Sequence, residues 1–366
     1  MTGPVEFEFD GALTYEAADA AWMWVVRDLA PDLIDIDALD DSARSLRALE
    51  SLLPDLLERA SKALDEAETS GEARRRIQTQ LGSDAVWRRL PIVLTALRCR
   101  GLLDKAQGFG RAANGMPDEA ALVLALQAMP LNDPPVAALL MQAAVGQVAV
   151  PSRLITAAIR IAGSATESGL TRAGFAPMID AIFAHAQNQI PPLLQSGTFS
   201  DMDLVCRSVD RFHRLMRAVI GYVEISRSGR CATIAATLTK TISMRLEPKM
   251  RDIGPDLNMA LRRREGTERL DHDQVLSALN GIYLLATIRD SRDSLAVSAM
   301  YDQVWSQTGQ ALEIHIERLM QAVRNNPGER VASERLDAAL KMVEIRFGQD
   351  YADTLRRAKE SLARRA

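Results

Sequence analysis

The spacing of apolar side chains constrains this chain more than any other feature. Nearly every long segment repeats them at helical intervals, and none sustains the every-second-residue alternation of a half-buried strand. Aromatic residues are only 5% of the total, alanine is abundant, and hairpin dipeptides of the Asn-Gly type are few. Sheets draw on β-branched and aromatic residues and on such turns. The expected fold is therefore all-α, a multi-helix array built either as stacked helical hairpins, α-solenoid-like, or as an irregular bundle. At 366 residues the chain can bury its own core without disulfide or metal staples.

Charge and composition divide the sequence into three expected regions. Residues 1–70 hold 17 acidic and 5 basic residues, a net charge of −12, and the remainder carries +8. Their apolar residues, Trp22, Trp24, Val25, Leu29, Leu46, Leu49, Leu53 and Leu56, make this an acidic helical region and not a disordered tail. Residues 71–200 form a low-charge array of short helices, with only 11 charged residues between 101 and 200. Pro117, Pro134 and Pro151 stand 17 residues apart, and proline suits the first turn of a helix because its missing N–H would be unpaired there. Helices are expected over 118–129, 135–147 and 152–165, with Asp133 as an N-cap. A helix pair would then take 34 residues, a length found in α-solenoids.

Residues 201–366 are expected to form a bundle of longer helices. One should run from Ser200 to about Tyr222, with Val205, Val209, Phe212, Met216 and Val219 on one face and Arg207, Arg211, Arg214 and Arg217 on the other. Asp271 with Gln274 resembles a capping box opening a helix whose face carries Leu276, Leu279, Tyr283 and Ala286. Ser294 should cap a helix reaching about Arg324, which Asn326-Pro327-Gly328 ends. The last helix starts at Ala332 and carries Leu336, Leu340, Val343, Phe347 and Tyr351 at spacings of four, three, four and four. These two should pack as a long antiparallel hairpin.

The familiar constellations of catalysis and metal binding are missing. Cys99, Cys206 and Cys231 are too scattered for a zinc site or a disulfide framework. The four histidines never occur at i, i+4, so no helical zinc pair exists. No phosphate loop, dinucleotide fingerprint or nucleophile elbow is present; Gly108-Phe109-Gly110 departs from the second and reads as a flexible turn between helices. Asp35, Asp37, Asp40 and Asp41, with Asp290 and Asp293, do not form the Asp-rich motif by which all-α isoprenoid enzymes hold magnesium. His272, between Asp271 and Asp273, sits at a helix start where a carboxylate satisfies free N–H groups. No residue is accordingly expected to serve catalysis, a cofactor or a metal.

Function is expected to lie in noncovalent contact. The leading reading is a helical interaction or scaffold protein working through protein–protein contacts. Its candidate contacts are Arg207, Arg211, Arg214 and Arg217, which suit an acidic protein surface, and Trp22 and Trp24, since tryptophan is enriched at interface anchors. The first alternative is an enzyme or small-ligand binder with a pocket among the C-terminal helices. His315 is its candidate residue, on an apolar stripe with Tyr301, Val304, Thr308, Ala311 and Leu319 and with Thr308 as its nearest polar partner. The second alternative is a nucleic-acid-associated protein using Arg74–Arg76, Arg88-Arg89, Arg98 with Arg100, and Arg262–Arg264, which a pI near 5.7 disfavours. The acidic first ten residues are unlike a signal peptide, and the long uncharged stretch 134–152 is too interrupted to span a bilayer. A cytoplasmic location with no membrane partner follows as the expectation.

Overall fold

A computed structural model describes residues 6–34, 43–194, 201–262, 269–326 and 328–363. Among the described residues the chain is all-α, with sixteen α-helices and no strand. The helices group into two compact units, one of residues 8–184 and one of residues 185–366 with residues 1–7.

The unit of residues 8–184 opens with α1 (Tyr15–Trp24), which continues as a π-helical turn, Val25–Leu29. Next come α2 (Ala43–Thr69), α3 (Gly71–Leu81) and α4 (Asp84–Arg98). Short polar residues set the starts. Thr14, Ser70 and Ser83 each accept a hydrogen bond from a backbone N–H three residues on, worth about 1 kcal/mol apiece. Gly82, at φ +77, stops α3 in the left-handed conformation that glycine adopts without strain. One apolar cluster holds these helices together, from Trp24, Val25 and Ile34 through Leu56 and Ile77 to Leu90 and Leu94. The acidic stretch thus shares its core with the residues that follow it.

Beyond them lie α5 (Arg100–Ala113), α6 (Glu119–Gln127), α7 (Pro134–Gln147), α8 (Ser152–Ala162), α9 (Glu167–Arg172) and α10 (Ala176–Gln187). Asp118 caps α6 through a 2.7 Å bond from the Ala121 N–H. Asp133 precedes α7 but its side chain makes no cap bond, so proline at the first position, needing no N–H partner, is what starts that helix. Gly108-Phe109-Gly110 is no turn: it lies inside α5, and Gly110 is where α5 meets α7. A Cβ there would stand 2.3 Å from the Ala144 carbonyl oxygen. Arg153 holds the end of α5, donating at 2.6 Å to the carbonyls of Ala113 and Met116.

The unit of residues 185–366 contains α11 (Met202–Ile220), α12 (Arg230–Leu261), α13 (His272–Ser291), α14 (Ser298–Asn325), α15 (Arg330–Phe347) and α16 (Gln349–Ala363). Val205, Val209, Phe212, Met216 and Val219 of α11 are fully buried, each contributing about 1.5–3 kcal/mol. Asp201 caps this helix; Ser200 lies outside the described residues. α12 stays continuous through Pro248 and Pro255. Two interior prolines cost about 6 kcal/mol, which the burial of Leu246, Met250, Ile253 and Leu257 offsets at about 2 kcal/mol each.

Three local expectations are corrected in this unit. The buried face of α13 carries Val275, Ala278, Ile282 and Leu285, while Leu276 and Tyr283 are 41% and 49% exposed. Apolar residues almost encircle this helix, so spacing alone does not select the buried side. Ser294 lies in a 3₁₀ turn before α14 and hydrogen-bonds to His213 instead of capping the helix. The final helix is two, because Gly348, at φ +100, separates α15 from α16. Phe347 and Tyr351 still meet edge to face across that break, ring centroids 5.5 Å apart. The early part of α14 packs against the end of α15, where the Arg346 guanidinium donates to the Trp305 carbonyl at 2.9 Å.

Candidate functional site

Among the described residues no helix is long and apolar enough to cross a membrane, and no three metal-ligating side chains converge. The three cysteines form no disulfide, and burial pushes the Cys206 thiol up. Asp290 pairs with Arg289 at 2.9 Å and Asp293 reaches Arg292 at 4.0 Å. Asp35, Asp37, Asp40 and Asp41 lie outside the described residues. Asp271 accepts from the Gln274 N–H at 3.2 Å, so it caps a helix start beside the exposed His272.

An apolar concavity lies in the unit of residues 8–184. α1, α2 and α4 leave between them an apolar cleft of about 300 Å³, at the lower end of the range of known ligand cavities. Trp22, Val25, Leu49, Leu53 and Leu97 are among its walls, and among the described residues its charged lining is Glu50 and Arg100. Its position follows from the local sequence. The apolar stripe of α2 meets α1 and α4, but Leu49 and Leu53 reach only half-burial and Leu97 stays 37% exposed. The Arg100 guanidinium makes a 3.4 Å bond to the Leu97 carbonyl. Among the described residues neither it nor Glu50 is in an ion pair. Among the described residues the cleft can therefore hold apolar groups and present one charge of each sign, with no nucleophile or acid–base pair on its lining.

The two tryptophans placed on α1 have different fates. Trp24 is 1% exposed and its indole N–H donates to Gln80 at 3.1 Å, which makes it a core residue. Trp22 is half-buried and forms part of the cleft wall. Arg207, Arg211, Arg214 and Arg217 share the outward side of α11, but not as a uniform cationic stripe. Arg207 and Arg214 pair with Asp203 and Asp210, one turn earlier, at 2.8 and 2.7 Å. Arg211 is half-buried, and burial lowers its tendency to hold a proton. Arg217 is exposed and in no ion pair among the described residues.

His315 is 7% exposed, and its partner is Asn258 of α12, with Nε2 and Oδ1 at 2.9 Å. Thr308 donates instead to the Val304 carbonyl at 2.7 Å. The Asn258 amide nitrogen already donates to the Gly254 carbonyl at 3.0 Å, so its oxygen faces the ring and Nε2 carries the proton. Burial, with Arg318 nearby, holds this imidazole below its ordinary value and therefore neutral. His315 lines neither this cleft nor three further cavities, at Phe9–Arg89, Ile220–Met244 and Asp256–Asp273. It acts as a hydrogen-bonded link between α12 and α14.

The other arginine clusters are also engaged within the fold. Arg74 lies 5.8 Å above the Trp87 ring, Arg88 pairs with Asp84 at 3.2 Å, and Arg89 donates to the Ala12 carbonyl. Arg98 donates to Ser61. Arg263 and Arg264 lie outside the described residues. One cluster that composition did not reveal surrounds Trp305. Arg346 stacks on its ring at 3.4 Å, and Tyr301 stacks beside it at 5.5 Å. Burial pushes the Tyr301 hydroxyl up to about 12.

Glu50, Leu97 and Arg100 were not legible as site residues, because the cleft belongs to no single helix. Arg100 was visible only as a member of a basic pair. Comparison of the chain with family models, with curated proteins and with solved structures finds no match in any of the three.

Proposed function

We propose that this chain is a cytoplasmic helical interaction protein that works without covalent chemistry, and that its contact site is the cleft among α1, α2 and α4. The observation that carries this reading is an open apolar cleft with Trp22 in its wall and, among the described residues, two lining charges that are in no ion pair. Exposed apolar surface in such a concavity is costly unless something covers it, and anchors at protein interfaces fill pockets of this kind. The outward arginines of α11 are the second contact candidate, and of these Arg217 has charge to offer.

Affinity purification from the native cell, followed by mass spectrometry, tests the proposal. Leu97→Asp places a carboxylate in the cleft at a position already 37% exposed, so the helix itself tolerates it. A partner recovered with the native chain should be lost with this variant and kept with Arg207→Ala. Identical partner lists from the native chain and Leu97→Asp would remove the cleft from the account.

A further inference from the structure

We propose that the occupant of the cleft is an amphipathic helix of a partner protein, carrying charges of both signs beside its apolar stripe. This rests on the cleft being the contact site. Size gives the first argument. A helix with its side chains is about 10–12 Å across, so a cavity of about 300 Å³ admits its anchors but not its backbone. Such a helix lies along the opening and sends in residues spaced i, i+3, i+4 and i+7.

Charge gives the second argument, and it separates a polypeptide from an amphiphile with a single ionic head. Glu50 and Arg100 both line the cleft, have opposite signs, and are in no ion pair among the described residues. A molecule with one ionic head gains beside one of them and loses beside the other. A neutral apolar molecule leaves both unmatched. A helix can set a cation against Glu50 and a carboxylate against Arg100 while leucine or phenylalanine fills the space between.

The test uses the full chain and three synthetic fifteen-residue helical peptides. All share leucines at i, i+3, i+4 and i+7; their flanks are mixed Glu and Lys, all Glu, or all Lys. Dodecanoate is the small-amphiphile probe, and calorimetry reads each Kd. The mixed peptide should bind tightest, with each uniform peptide about fivefold weaker, since one exposed attractive pair becomes repulsive. Glu50→Lys should move the preference to the all-Glu peptide and Arg100→Glu to the all-Lys peptide. Gains of affinity of this kind do not arise from a misfolded chain. Equal binding of the three peptides, or dodecanoate displacing all of them, overturns the helix. Failure of every peptide while Leu97→Asp still loses its cellular partner also overturns the helix but leaves the cleft standing. An unchanged partner list with Leu97→Asp removes the cleft itself.

Discussion

Two glycines of α5 separated by one residue should respond to alanine in opposite directions. At Gly110 the new methyl carbon would lie 2.3 Å from the Ala144 carbonyl oxygen and 2.9 Å from the Gln147 Cβ. Carbon and oxygen in ordinary contact are about 3.3–3.6 Å apart, so α5 and α7 must separate locally by about 1 Å. The obstacle is backbone, which cannot rotate aside, and overpacking of this kind costs about 1–3 kcal/mol. Alanine's helix propensity offsets about 1 kcal/mol of that, leaving a net loss of up to about 2 kcal/mol. At Gly108 nothing lies within 4 Å of the same added carbon, so the propensity gain of about 1 kcal/mol stands alone. The variants should differ by about 1–3 kcal/mol, the overpacking cost itself. At about 2–4 °C per kcal/mol for a unit of this size, melting midpoints should lie about 2–12 °C apart. Thermal unfolding followed by circular dichroism reads this directly. Gly110→Ala at or above Gly108→Ala in midpoint would refute the close approach of α5 to α7.

Stability should fall on mild acidification. His213 and His315 are both held below the ordinary 6.5, chiefly by burial, so the native rings stay neutral while those of the unfolded chain take up protons. The contribution is complete above about pH 6.5 and is lost as pH falls from there through the folded values; a urea midpoint unchanged between pH 7 and pH 5 would contradict it. Asn258→Asp should raise the His315 pKa, because a carboxylate at the 2.9 Å position of the amide oxygen favours the imidazolium. NMR titration of the ring would contradict this if the value stayed put or fell. Gly348→Ala should cost about 1–2 kcal/mol by forcing a side chain to φ +100, although nothing crowds the added carbon. Equal denaturant midpoints would show that the turn relaxes.

The helical class was legible because burial on one side of a helix leaves a 3.6-residue imprint wherever the opposite side is polar, as in α11. The starts of α6, α7 and α8 were legible because Asp118, Pro134 and Pro151 act through local backbone chemistry. Legibility failed where a residue's role depends on another helix. Gly110 has a turn former's composition and a packing residue's function, since the carbonyl that excludes a side chain belongs to Ala144. His315 was correctly placed on a buried stripe, but its partner lies 57 residues earlier, and the same-helix Thr308 was already bonded to its own backbone. The break at Gly348 was hidden because Phe347 and Tyr351 keep helical spacing across it. The cleft had the least local signature. Leu49 and Leu53 read as core residues, which they partly are, and only the arrangement of α1, α2 and α4 leaves them half-covered.

Photo-crosslinking in the native cell tests the central claim most directly. A benzophenone amino acid replaces Leu97 at the cleft, and in a second strain Arg207 on the outer side of α11. Occupation of the cleft by a partner protein predicts a discrete, light-dependent adduct from position 97 that Trp22→Ala weakens, with none of that mass from position 207. An adduct from position 207 alone, with position 97 left uncoupled, would contradict the cleft and return the contact to the arginine face.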